Sequence, residues 1–325
     1  MCGIFGFTGR KDNQYLQEMA KALIHRGPDD QGFYEDDYMS MGQRRLSIID
    51  LSPNGRQPMS NESSTIWVTV NGEIYNYRDL KAELLSRGHL FRSSSDSEVV
   101  VHAYEEYGED FLLKLEGMFA LALWDSRKRK LILSRDRIGI KPLYYAQTSN
   151  RLIFASEIKA ILRDTSVRRE VNEASFWRYL AFQCDISNET MFKGIYKLEP
   201  GSLLILENNE LVIKKYWSLG KGGLEKTSED QVSAALVNAV NSHLVSDVPV
   251  GVLLSGGLDS SSIVAIMHEQ QVKNIETFTV GFGQPDDEFN DAKLVADRFK
   301  TRHHELLIEA GDLKNLLNKI VWHMD

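Results

Sequence analysis

Cys2 stands one residue from the start of the chain and opens the run Cys2-Gly3-Ile4-Phe5-Gly6-Phe7. Removal of Met1 gives that residue both a thiol and a free α-amine, and an amine with a pKa of about 7.7–8 can take the thiol proton without a histidine. These two groups predict an N-terminal nucleophile that attacks a carbonyl carbon. A thiol also packs well without reacting, so Cys2 by itself fits a buried position in an edge strand equally well.

A second candidate lies far along the chain. The apolar run Val250 to Leu254 leads into Ser255-Gly256-Gly257-Leu258-Asp259-Ser260-Ser261 and then into a helical pattern. Glycines there let backbone approach a ligand closely, and the start of the helix points N–H groups at an anion. The Gly-Lys-Ser/Thr ending of a Walker loop is missing, which argues against cleavage of a γ-phosphate. Hydroxyls from Ser255, Ser260 and Ser261 suit a pyrophosphate instead. Asp259 suits the magnesium ion that accompanies one, since that cation takes carboxylate and water oxygens; the alternative is a helix-capping aspartate.

The elements that must position these groups fall into two styles. Strand patterns occur at Cys2 to Phe7, Thr65 to Val70, Met118 to Trp124, Leu131 to Ser134, Arg151 to Ala155 and Ser202 to Leu206. Helical faces lie between them, formed by Leu16, Met19 and Leu23, by Leu80, Leu84 and Leu85, and by Val99, Val100, Ala103 and Tyr107. That mixture predicts an α+β layered domain. Gly220, Gly222 and Gly223 mark a polar connector over Leu219 to Lys226. Beyond it, Ser228-Glu229-Asp230-Gln231 is a capping-box signature before Val232, Leu236, Ala239 and Leu244. A strand at Val250 to Leu254, a helix at Ser260 to His268, a strand at Thr277 to Phe282, a helix around Ala292 to Phe299 and a strand at Glu305 to Ile308 then alternate strictly, which predicts a parallel sheet.

Composition narrows the class. With 325 residues and 42% apolar content the chain has material for two domains. A net charge of -8 gives no footprint for nucleic acid, and the one basic run, Arg127-Lys128-Arg129-Lys130, reads as a solvated hairpin tip. Cys2 and Cys184 lack the number and spacing of a disulfide framework or a thiolate metal site. An unblocked Cys2 needs a reducing compartment, and no window approaches the ~20 apolar residues of a membrane span, so a soluble cytoplasmic protein is expected.

Cys2-Gly3-Ile4-Phe5-Gly6 at the start and Ser255 to Ser261 after the connector, in that order in one chain, resemble the glutamine-hydrolysing asparagine synthetases. The resemblance extends through His25-Arg26-Gly27-Pro28-Asp29, Arg45-Leu46-Ser47-Ile48, Asn71-Gly72-Glu73-Ile74-Tyr75-Asn76, Ser95-Asp96-Ser97-Glu98, Arg135-Asp136 and Lys141-Pro142-Leu143-Tyr144-Tyr145. It implies a class II glutamine amidotransferase domain with the αββα sandwich of N-terminal nucleophile hydrolases over residues 1–219. An incomplete α/β parallel-sheet nucleotide domain of the adenine-nucleotide α-hydrolase type, an ATP-pyrophosphatase, is implied for residues 220–325.

By the same resemblance, the Cys2 thiol attacks the glutamine side-chain amide, and the Asn71 side chain with the Gly72 N–H stabilises the oxyanion. Neutral donors suit a charge that forms transiently. Asn71-Gly72 after a β run is also a hairpin signal, and both roles are expected together. Arg45 is assigned to the α-carboxylate, which a guanidinium can fork bidentately, while Arg44 is expected to face solvent. Glu73 and Asp96 are assigned to the α-ammonium, Asp96 being also a possible N-cap of the helix through Val99 and Ala103. Leu46, Ser47, Ile48 and Ile49 line the same pocket.

His25 to Asp29 reads as a shaped loop near the site. His303-His304 lacks further ligands at metal spacing, so no protein-held metal is expected. Cys184 is expected to pack internally, and Tyr144, Tyr145, Phe154 and Trp177 to fill core and domain interface. In the second domain the resemblance assigns Ser255, Gly256, Gly257, Asp259 and Ser260 to the phosphates of ATP, with Mg2+, and Leu253 and Val280 to adenosine. Aspartate would then be adenylated to β-aspartyl-AMP with loss of pyrophosphate, and ammonia from the first site would displace AMP.

The family continues past the position of Asp325, and a second phosphate loop and most aspartate-binding residues have no counterpart here. The expectation is a fragment whose glutaminase half is whole, with an unpaired sheet edge and exposed apolar helix faces. An amidotransferase of cell-surface sugar synthesis built from the same two domains stays open. So does a remnant that binds glutamine without turning it over, although an intact set of Cys2, Arg45, Asn71 and Asp96 speaks against it. A homodimer is compatible with everything above.

Overall fold

The computed structural model describes residues 1–220 and 227–325, so the connector expected over Leu219 to Lys226 lies largely outside the described residues. The chain divides into two compact units, Met1–Gly222 and Gly223–Asp325.

Two six-stranded antiparallel sheets form the first unit. One runs in the order Ile195–Lys197, Tyr144–Gln147, Leu152–Ala155, Gly3–Thr8, Met39–Arg45 and Asp30–Glu35. The other runs Glu210–Lys215, Ser202–Glu207, Lys130–Arg135, Gly117–Asp125, Ile66–Ile74 and Met59–Ser60. Successive side chains of a strand point to opposite faces, and the Gly3–Thr8 strand uses both. Ile4 joins Met39, Met41 and Phe154 against Ala122, Leu133 and Leu204 of the other sheet, which makes the inter-sheet core. Phe5 and Phe7 point the other way and pack on Leu16 and Met19, the apolar face of the Asn13–Ala22 helix, and on Leu23, which ends it. Burying each of these side chains contributes about 1.5–3 kcal/mol. On the far side, the Val99–Tyr107 helix packs against the Ile66–Ile74 strand and the Tyr77–Ser86 helix packs against it in turn. The layers are therefore helix, sheet, sheet, helix, as expected.

Several local expectations fail for identifiable reasons. Asn71-Gly72 is not a hairpin turn: the strand runs on to Ile74, in unbroken register with Asp125 back to Gly117. Glycine is required at position 72 because the neighbouring strand crowds it, a Cβ there falling 2.0 Å from the Met118 carbonyl oxygen. Leu85 is exposed, leaving Leu80 and Leu84 as the buried face of their helix. Arg127, Lys128 and Arg129 do form an exposed hairpin tip, but Lys130 is buried and pairs with Glu109 at 2.6 Å. Cys184 is exposed and does not pack internally, and Trp177 is 65% exposed while Tyr145 and Phe154 are buried.

The second unit holds the expected parallel sheet, in the order Gly251–Leu253, Glu276–Gly281, Arg302–Leu307. Its first helix, Glu229–His243, opens on the predicted capping box, with Ser228 Oγ accepting from the Gln231 N–H and Gln231 Oε1 accepting from the Ser228 N–H. The last strand begins at Arg302, three residues before the apolar pattern shows it, because Arg302, His303 and His304 pair with Glu276 to Phe278. Two small apolar clusters hold the unit, around Val264 with Ala292 and around Met267 with Ile275. Leu253, Leu258 and Leu294 are largely exposed.

Candidate active site

Cys2 sits at the mouth of the Gly3–Thr8 strand, whose register places Gly3 opposite Arg44 and so brings the end of the Met39–Arg45 strand beside it. Its Sγ lies 3.5 Å from the Leu46 backbone nitrogen, which donates to it, and 3.6 Å from the Leu46 carbonyl oxygen. Arg26 Nε donates to the Cys2 carbonyl at 2.8 Å, fixing the residue from behind. Burial pushes the thiol pKa up, and the Leu46 N–H, the terminal amine and Arg45 only partly offset this. A protonated thiol needs a base. Burial also lowers the pKa of the terminal amine, carried here by Met1, against the opposing effect of Cys2.

The Ile66–Ile74 strand touches both the Gly3–Thr8 and Met39–Arg45 strands. Asn71 on it is wholly buried, and neither its amide nitrogen nor its amide oxygen has a hydrogen-bond partner. An amide left so costs about 1–3 kcal/mol of desolvation, so the fold carries this side chain at a loss. Two residues on, Glu73 meets Asp96. Burial lifts the Glu73 carboxyl to about 8, with the Asp96 charge adding to it. Burial lifts Asp96 to about 6 against hydrogen bonds that favour its ionised form, the Ile74 N–H at 2.8 Å among them. Asp96 caps no helix: Ser95 caps the short turn that holds it, and Asp96 itself ties that turn to the strand.

Arg45 is buried, its guanidinium donating to the carbonyls of Ile49, Asp50 and Ser52. The loop from Leu46 to Ile49 is thereby folded around the arginine, and the Ser47 N–H is held by Asp29 Oδ2 at 2.8 Å. Arg44 does not face solvent. The strand sends it to the opposite face, where the His25 to Asp29 loop covers it and it donates to the Gly27 carbonyl and to Gln31.

Other groups support the site without a signal of their own in the sequence. Glu157 draws Arg26, His25 and Lys159 together at 2.8, 2.9 and 2.6 Å. Burial pushes the Glu157 carboxyl up, but Lys159 and Arg26 outweigh it and hold the pKa below its ordinary value. Lys141 is buried close enough to act on Glu73 and Cys2, and burial lowers its pKa. Gln43 donates to the Val70 carbonyl at 2.7 Å while Gln57 accepts from the Val70 N–H at 2.6 Å and donates to Ser97. That chain pins the backbone next to Asn71 and the turn next to Asp96. The strings His25 to Asp29 and Lys141 to Tyr145 contained part of this set, but nothing local in them gave a role.

In the second unit, Gly257 begins the Leu258–Glu269 helix without any side-chain cap bond, so Asp259 is a first-turn residue and not the cap. Ser255 and Ser260 hydroxyls lie 2.9 Å apart and Gly257 N–H donates to Ser255 Oγ. Gly256 has φ +78° and backs onto Asp291, whose backbone lies 2.6 Å from where a Cβ would be. The Ser261 hydroxyl is buried without a partner, and Leu253 and Val280 are exposed at 78% and 43% on adjacent strands.

Residues 1–217 match the glutamine amidotransferase domain family, and residues 231–325 match the asparagine synthase family. Over 338 aligned residues the chain is 37% identical to glutamine-hydrolysing asparagine synthetase 1 of Bacillus subtilis, covering 100% of this chain and 53% of that one. Over 354 residues it is 34% identical to putative glutamine-hydrolysing asparagine synthetase 2 of Methanocaldococcus jannaschii, covering 100% of this chain and 68% of that one. Among solved structures it is similar to an allosteric regulatory enzyme of purine biosynthesis, with a TM-score of 0.52 at 17% identity over 94% of this chain and 65% of that one, a likeness of fold alone. The chain spans about half the length of most of the curated relatives it matches.

Proposed function

Since the chain belongs to the family of glutamine-hydrolysing asparagine synthetases, we propose that residues 1–219 hydrolyse glutamine to glutamate and ammonia through Cys2. The observation that carries the proposal is the buried Asn71 amide without a partner, 71 being the position the family assigns to an oxyanion donor. A fold gains nothing by keeping such a group dry unless something else uses it.

The steps follow from the groups at hand. With Met1 removed, the α-amine of Cys2 takes the thiol proton, and the thiolate attacks the side-chain amide carbon of glutamine. Negative charge moves to the amide oxygen, where Asn71 and the Gly72 N–H receive it. Collapse expels ammonia with the proton returned by the ammonium, and water then cleaves the glutamyl thioester. Arg45 takes the α-carboxylate, Glu73 and Asp96 take the α-ammonium, and Leu46 to Ile49 wall the pocket. Glutamine given to the purified chain releases glutamate and ammonia in equal amounts; a chain that releases neither overturns the proposal.

The carboxyl pair gives the binding step a pH signature. Glu73 and Asp96, raised to about 8 and about 6, hold protons in the folded protein that an unfolded chain would release. The contribution of this pair to the stability of the free protein therefore falls as pH rises from about 4 to about 8. An α-ammonium favours the ionised pair and lowers both pKa values, so the rise in melting temperature produced by glutamine grows between about pH 5 and about pH 8. Thermal melts of Cys2→Ala with and without glutamine check this, and equal shifts at both ends contradict the assignment.

For residues 220–325 we propose a share in ATP binding. Ser255, Gly256, Gly257 and Ser260 would hold phosphates, with Leu253 and Val280 beside adenosine, and Asp259 would offer a carboxylate to the accompanying Mg2+. The uncapped helix start, the glycine against Asp291 and the unpartnered Ser261 hydroxyl fit an anion there. Magnesium would neutralise pyrophosphate charge. Adenylation of aspartate and its displacement by ammonia, giving asparagine and AMP, are proposed for the whole protein. A reducing compartment, the cytoplasm, suits a free Cys2 thiol; among the described residues no helix is long and apolar enough to cross a membrane.

A further inference from the structure

A second constellation of ligating side chains occupies the helical face of the first unit. The Val99–Tyr107 helix carries His102 and Glu105 one turn apart, His89 follows the Tyr77–Ser86 helix, and Glu62 stands between the Met59–Ser60 and Ile66–Ile74 strands. One ligand atom from each of the four lies within 4.8 Å of all the others. His102 is wholly buried, and neither of its ring nitrogens has a hydrogen-bond partner.

The shortest spacing in the set is that of two ligands on one ion, and the others are wider. His102 Nδ1 lies 3.4 Å from Glu105 Oε2 and 3.8 Å from Glu62 Oε2, and His89 Nδ1 lies 3.7 Å from the same Glu105 oxygen. A tetrahedral ion with bonds of about 2.0–2.1 Å keeps its ligand atoms roughly 3.3–3.4 Å apart. Each carboxylate is oriented through its other oxygen, Glu105 Oε1 accepting from Asn61 Nδ2 and Glu62 Oε1 from the Leu90 N–H, both at 2.7 Å. Behind the imidazoles stand further carboxylates, Glu106 Oε2 at 3.4 Å from His89 Nε2 and Glu98 Oε1 at 3.9 Å from His102 Nε2. The Glu106 contact with His89 is the arrangement that orients a metal-bound histidine, while Glu98 stands beyond hydrogen-bond reach of His102.

We propose that Glu62, His89, His102 and Glu105 bind one divalent transition-metal ion of the zinc class. Two carboxylates neutralise the dication, two neutral imidazoles complete four-coordination, and four protein ligands leave no open position, which makes the site structural. The ion clamps three segments, one of which, the Val99–Tyr107 helix, directly follows the Asp96–Glu98 turn. Glu98 is the last residue of that turn, and its carboxylate accepts from the Arg92 and Ser93 N–H groups and from Ser93 Oγ.

The test uses the full chain freed of metal by a chelator, then titrated with Co2+ and with Zn2+. One equivalent of Co2+ gives the visible bands of a tetrahedral site without thiolate charge transfer, and Zn2+ displaces it and raises the melting temperature. Glu106→Gln weakens Zn2+ binding by about 10–100-fold with the metal-free melting temperature unchanged. His89→Ala, at a partly exposed position, removes the bands, and Cys2→Ala keeps them. The competing arrangement is a metal-free cluster of imidazoles paired with carboxylates, and it leaves the melting temperature indifferent to Zn2+. That indifference, bands that survive His89→Ala, or bands lost in Cys2→Ala overturns the site.

Discussion

Asn71→Leu lowers kcat for glutamine hydrolysis by about 10²–10³-fold and leaves the melting temperature equal to or above that of the parent chain. The two halves of this result have one cause. Asn71 is wholly buried with both amide atoms unpartnered, so a leucine of similar size removes a desolvation penalty of about 1–3 kcal/mol. The same change removes a donor whose interaction exists only when charge reaches the amide oxygen, which predicts a loss in kcat with little change in KM. Steady-state glutamate release and a thermal melt on one preparation check it. A variant that melts lower while keeping its rate would make Asn71 a structural residue.

Cys2→Ala abolishes glutamate release, a loss of about 10⁴-fold or more, because the proposed acyl intermediate forms on the Cys2 sulfur. Binding survives. Arg45 is held by the carbonyls of Ile49 and Asp50, and Asp96 by the Ile74 N–H, so glutamine still stabilises the variant. Loss of both hydrolysis and glutamine-induced stabilisation would instead place Cys2 in the packing of the pocket.

Local signals in the sequence held where the structure is also local. The capping box at Ser228 and Gln231 and the strand and helix alternation after it depend on near neighbours, and they form as read. Asn71-Gly72 misled for the same reason: a turn signal of two residues competes with a nine-pair ladder from Ile66 to Ile74, and the ladder prevails. Arg44 and Arg45 do point to opposite faces, but both faces are covered, one by the Gly27 loop and the other by Ile49 to Ser52. Glu157 and Gln57 were invisible because their partners lie far away in the chain, Arg26 in one case and Val70 with Ser97 in the other. The Glu62, His89, His102 and Glu105 cluster is hidden likewise, since only its helical His102–Glu105 spacing is local. Cys184 and Trp177 show the converse, apolar residue types left exposed.

The amine is the part of the account most directly exposed to measurement, because the chain can be prepared with Met1 removed and with Met1 retained while every other atom stays the same. Glutamate release from glutamine is compared for the two. The account predicts turnover when Cys2 carries the free α-amine and a rate near that of Cys2→Ala when Met1 blocks it. Equal turnover by both preparations would contradict it.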